Sequence, residues 1–90
     1  LLAYALFKVN LTKSNQINKK TPVYLLMNNF NKAIVFVNGN CVGRYWNINP
    51  FMTLYLPEEY LLNGLNEITV FEIQGFKRPY IYFVNENVLK

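Results

Sequence analysis

Ninety residues make one small domain, with 52% hydrophobic, 17% aromatic and only 16% charged residues and a net charge of +4. A chain of this length buries roughly 60% of the surface its unfolded form exposes, and a charge content below the roughly one quarter usual for soluble domains implies a surface that is partly covered by something else. The sequence contains no His, no Asp and one Cys, Cys41, which excludes a Ser/His/Asp triad, a Cys/His dyad, a His/Cys zinc site and any disulfide within the chain.

Short runs rich in Val, Ile, Phe and Tyr, separated by Asn, Gly and Pro, read as β-structure throughout. The first predicted strand is Tyr4 to Leu11, and it carries the glycosylation sequon Asn10-Leu11-Thr12. Lys13 to Lys20 is polar and lacks an apolar pattern, so an exposed, mobile loop is expected there. Val23 to Met27 is the second strand. Ala33 to Val37 is the third, and it is apolar at every position. A strand buried on both faces reads this way: one face meets an opposing sheet and the other needs a neighbour to cover it. Asn38-Gly39 is the strongest local signal. Between two apolar runs it favours a type I′ turn, whose two central residues need positive φ, so it predicts a tight hairpin into Cys41 to Tyr45. Alternation along that strand places Cys41 and Arg44 on opposite faces. Thr53 to Leu56 follows, then a helical turn opening at Pro57, a turn at Asn63-Gly64, a strand from Glu67 to Ile73, and a closing core strand from Tyr80 to Val84.

Little chemistry is on offer. The five acids are Glu58, Glu59, Glu67, Glu72 and Glu86. Ordinary glycoside hydrolysis needs two carboxyls about 5–10 Å apart across one sugar. Glu67 and Glu72 are five positions apart on one predicted strand, which sends them to opposite faces, and surface solvation is the expected role of all five. No Gly-rich phosphate loop is present, and no cofactor or metal is expected. The nine basic residues are scattered, whereas a nucleic-acid site wants a basic stripe interleaved with exposed aromatics. No apolar run approaches the ~20 residues of a membrane helix. Neither nucleic acid nor membrane is an expected partner.

One stretch is specific. Val37-Asn38-Gly39, Gly43-Arg44-Tyr45-Trp46, Thr53-Leu54-Tyr55-Leu56-Pro57 and Asn66-Glu67-Ile68-Thr69-Val70-Phe71-Glu72 follow one another between Asn28 and Gln74. In that order and spacing they resemble a segment near the C-terminus of family 35 glycoside hydrolases, the β-galactosidases. The stretch covers about half of the chain, and Asn29 to Ala33, Asn40-Cys41 and Asn49-Pro50 depart from the family's usual loops. The resemblance implies an all-β jelly-roll sandwich of about seven strands, galactose-binding-domain-like, with residues 1–90 forming a single C-terminal domain of a longer protein. It also implies the main partner, a catalytic (β/α)₈ barrel of the same polypeptide that removes terminal β-galactosyl residues. Relatives of this kind occur in lysosomes, outside cells and in bacteria, so the compartment stays open.

The expected role is therefore a non-catalytic accessory domain that packs against and supports the barrel. The alternative is a stand-alone carbohydrate-binding module with galactosides as ligands. Arg44, Tyr45 and Trp46 are the candidate interface or sugar-facing residues, since an indole offers an apolar plate and a guanidinium up to five donors. Three roles stand open for them: docking against the barrel, direct sugar contact, or a Trp46 that caps the core while Arg44 ties down a loop. Asn38 and Gly39 are turn residues, and Tyr45 and Tyr55 are also candidates for packing.

Overall fold

The computed structural model describes residues 5–12 and 22–90. Among them lie seven strands: β1 (Ala5–Thr12), β2 (Val23–Leu26), β3 (Lys32–Val37), β4 (Asn40–Trp46), β5 (Thr53–Leu56), β6 (Leu65–Glu72) and β7 (Tyr82–Val84), with one 3₁₀ turn at Glu58–Tyr60. They form two antiparallel sheets, a larger one in the order β1-β6-β3-β4 and a smaller one in the order β5-β2-β7. This is the expected all-β sandwich. Tyr4 and the loop expected at Lys13 to Lys20 lie outside the described residues. The sequon falls within β1, whose backbone pairs with β6 from Ala5 opposite Glu72 to Thr12 opposite Leu65.

Strand alternation builds the core. Val23 and Leu25 of β2, Leu56 of β5, Ala33, Val35 and Val37 of β3, Tyr45 of β4, and Ile68 and Val70 of β6 are buried between the sheets with Met27 and Phe30. Each aliphatic side chain buried this way contributes about 1.5–3 kcal/mol. Asn38 and Gly39 have φ of 50° and 82°, and Val37 pairs directly with Asn40. The connection is the two-residue turn with both central φ positive that Asn-Gly favours.

The last segment departs from expectation. Only Tyr82–Val84 pairs as a strand, against β2, and Tyr80 and Tyr82 are both more than half exposed. Ile81 and Phe83 do pack on the core. The run is thus one short strand with its tyrosines turned outward, not a core strand from residue 80. The rest of the C-terminal segment is held without a further strand: Phe30 bridges Phe76 and Phe51 bridges Leu89, the Lys77 N–H donates to the Asn29 carbonyl at 2.7 Å, the Met52 N–H donates to the Val88 carbonyl at 2.7 Å and the Lys90 N–H to the Pro50 carbonyl at 2.9 Å.

Candidate functional site

The site is set by the β3–β4 hairpin. Val35 faces Gly43, but Phe36 faces Cys41, so Val42 is an extra residue in β4. Such a bulge bends the strand and breaks its alternation. Gly43 accommodates it with φ of 145°, a backbone angle that residues with a Cβ rarely adopt. The consequence overturns the expectation for Cys41. Opposite Phe36, it stands on the same outward face as Arg44, which is opposite Ile34.

Beyond the bulge, alternation resumes and divides the Arg44-Tyr45-Trp46 run. Tyr45 pairs with Ala33 and is 3% exposed, inside the core. Burial, and secondarily the charge of Glu72, push its phenol pKa above 10.0. Trp46 pairs with Lys32 and is 39% exposed. The Lys32 Nζ lies 4.3 Å from the centroid of its ring, a cation–π contact. Trp46 therefore does not cap the core, and Arg44 is exposed and ties down no loop among the described residues.

Neighbouring strands complete the outer face. Ile34 of β3 pairs with Phe71 of β6, and the Ile73 N–H donates to the Lys32 carbonyl at 2.9 Å. Phe36 and Phe71 meet edge to face with ring centroids 6.0 Å apart. Lys32, Ile34, Arg44, Trp46, Phe71 and Ile73 line an open groove of about 320 Å³. Ile34, Trp46, Phe71 and Ile73 each remain more than a third exposed. The third predicted strand is thus apolar on both faces, as read, and among the described residues only its inner face is covered.

Buried polar groups tie β6 to its surroundings at both ends of the strand. At its start Asn66 is fully buried. Its Oδ1 accepts from the Leu62 N–H at 2.7 Å and from Asn38 Nδ2 at 2.9 Å, and its Nδ2 donates to the Leu62 and Gly64 carbonyls. Asn38 Nδ2 also donates to the Tyr60 carbonyl at 2.7 Å, and Asn38 Oδ1 accepts from the Glu67 N–H at 2.9 Å. Asn38 is a turn residue, as expected, and also a tie between hairpin, 3₁₀ turn and β6.

At the far end of β6, Glu72 is fully buried, so the solvated role expected of it is wrong. Its carboxylate accepts the N–H groups of Asn31 (2.8 Å), Lys32 (3.0 and 3.2 Å) and Gln74 (2.9 Å). Glu67 is exposed on the opposite face of the same strand. Asn66, Ile68, Val70 and Glu72 share one phase of the alternation, the one signal by which the sequence marks Glu72 as inward. The sequence does not single out Lys32, Ile34, Phe71 and Ile73 as a group, because their meeting depends on the β3–β6 pairing.

The small sheet presents a different outer face. Tyr24 and Tyr55 pair across β2 and β5 with ring centroids 5.6 Å apart at 67°. Tyr55 is 55% exposed, so it packs on its neighbour at the surface and not in the core.

Comparison with known proteins agrees with the resemblance read from the motifs. The family of β-galactosidase galactose-binding domains matches residues 4–66. Human β-galactosidase-1-like protein 2 is 49% identical over 49 residues, which are 54% of this chain and 8% of the human protein. Mouse β-galactosidase-1-like protein 3 is 40% identical over 72 residues, 72% of this chain and 11% of that protein. β-Galactosidase 1 of Dictyostelium discoideum is 37% identical over 75 residues, 73% of this chain and 11% of that protein. The chain spans about a tenth of the length of these relatives.

Proposed function

The chain belongs to the galactose-binding domain family of β-galactosidases, and we propose that it acts as a non-catalytic C-terminal accessory domain of such an enzyme, packing against its catalytic (β/α)₈ barrel and supporting it. In this reading the barrel hydrolyses terminal β-galactosyl residues, and the domain described here contributes surface and rigidity. One observation carries the proposal: the outer face of the large sheet holds Ile34, Trp46, Phe71 and Ile73 around an open groove. An apolar patch bordered by polar groups is the usual mark of a contact surface. The buried polar groups Asn66 and Glu72 favour a supporting role as well, since their bonds fix the strands that carry the patch. Glu72 has its carboxylate occupied by three backbone N–H groups, so it is committed to holding the fold.

A second reading, a carbohydrate-binding module, draws on Trp46 and Arg44, which stand two positions apart on β4 on one open face. An indole plate beside guanidinium donors suits a galactoside. Immunoblotting of source cells with an antibody to this domain, followed by intact mass measurement, separates the two. A species several-fold heavier than 10.6 kDa is expected. A native product of that small mass would sink the accessory role, and galactose titration at millimolar sugar would then test the module.

A further inference from the structure

The chemistry of whatever covers the groove can be named, on the premise that the docking reading holds. We propose that the part of the longer β-galactosidase chain that seats on the outer face of the large sheet brings a carboxylate to Arg44 and Lys32, set within an apolar surround that fills the groove.

Charge is the first reason. The groove's walls are Ile34, Trp46, Phe71 and Ile73, its two charged residues are both cations, and no acid lines it. Glu72 is on the inner face, with its oxygens taken by backbone N–H groups. Glu67 is outward but lies at the hairpin end of β6, beside Asn38. Among the described residues no carboxylate pairs with Arg44 or Lys32.

Desolvation is the second. A purely apolar cover would strip water from a guanidinium and an ammonium and return nothing, and an unpaired buried charge is strongly unfavourable. A carboxylate is the group that makes the same burial favourable, and Arg presents the planar fork that fits it in two parallel bonds. Lys32, already held over the Trp46 ring, is placed to share the same anion.

The opposite face supplies the contrast. Strands β2, β5 and β7, which read VYLL, TLYL and YFV, contain no charged residue. A neutral apolar partner would be accepted there without penalty, so cations mark the large sheet's face as the one built for an acidic partner. The relatives are about ten times longer than the matched stretch, which leaves ample chain to supply it.

The test uses the longer protein as the cell makes it, with hydroxyl-radical footprinting read by mass spectrometry at Trp46. In the wild type at low salt, Trp46 is expected to oxidise slowly. Raising the salt to about 1 M, where the Debye length is about 3 Å, should speed its oxidation several-fold. Arg44→Glu should do the same at low salt, and Arg44→Lys should not. Slow oxidation that neither salt nor Arg44→Glu alters would overturn the acidic partner while leaving docking intact. Fast oxidation in the wild type at every salt concentration would overturn docking itself, and this inference with it. Arg44 is exposed on β4, and the salt series needs no variant, so neither outcome depends on a substitution that fails to fold.

Discussion

The inner and outer faces of β6 invert the usual arrangement. The inner face buries a carboxamide, Asn66, and a carboxylate, Glu72, completely. The outer face leaves Phe71 exposed, with Ile34 paired to it and Trp46 in the same groove. Polarity is therefore a poor guide to position in this domain, and hydrogen-bond satisfaction is a good one. Asn66 and Glu72 are inside because their hydrogen bonds are met there, Asn66 by its own turn at Leu62 and Gly64 and by Asn38, Glu72 by the N–H groups of Asn31, Lys32 and Gln74, which removes the cost of burial. The apolar side chains stand outside with nothing among the described residues to cover them.

The contrast is broken most forcefully at Glu72. Glu72→Ala leaves the N–H groups of Asn31, Lys32 and Gln74 without their acceptor, and a loss of about 4 kcal/mol is expected, read as a shift in the urea midpoint. Glu72→Gln keeps one acceptor oxygen and should lose about half as much. Equal, small losses for both would mean that water satisfies these N–H groups and that the carboxylate is not a structural tie. Asn66→Ala comes next. It removes four contacts made to Leu62, Gly64 and Asn38, in turns where water replaces some of them, and about 2 kcal/mol is expected.

These two residues also show what was legible in the sequence. The Asn38-Gly39 turn and the strands were readable because each is a local matter of period, branching and positive φ. Glu72 was not, because two of its three donors, Asn31 and Lys32, lie some forty residues upstream, and only its phase with Ile68 and Val70 hinted at burial. Asn66 was not either: most of its bonds are to Leu62 and Gly64, within four residues, but they depend on how that turn folds back and on Asn38 from the hairpin. Which of Tyr45 and Trp46 faces inward was hidden by the Val42 bulge, which shifts the phase of β4 and for which Gly43 was the sole local sign. The motif order identified the family, and family membership does not say which neighbour in a triplet points outward.

Tyr45 sharpens the same contrast through pH. Burial, and to a lesser extent the Glu72 charge, hold its folded-state pKa above 10.0, so the folded form binds the phenolic proton more tightly than the unfolded form. Stability from this source is complete below about pH 10 and declines as pH rises from there through the folded-state pKa. Tyr45→Phe should remove that decline, so the difference between wild type and variant should shift against the wild type above about pH 10. A gap that stays constant through the alkaline range would show that the phenol titrates as if it were in water.

Trp46 is expected to matter least to the domain by itself. Trp46→Ala in the 90-residue chain forfeits a half-exposed ring and one cation–π contact with Lys32, worth about 1 kcal/mol together. A truncated core aromatic costs about 3–5 kcal/mol, so a loss of that size would place the ring inside and erase the distinction between the two regions. The same substitution tests the proposed accessory role in a longer β-galactosidase that carries this domain. If the ring fills a contact with a catalytic barrel, as proposed, its removal should lower the melting temperature of the whole protein by more than it lowers that of the domain. The excess of the second loss over the first measures what Trp46 does for the contact, which the domain's own folding does not require.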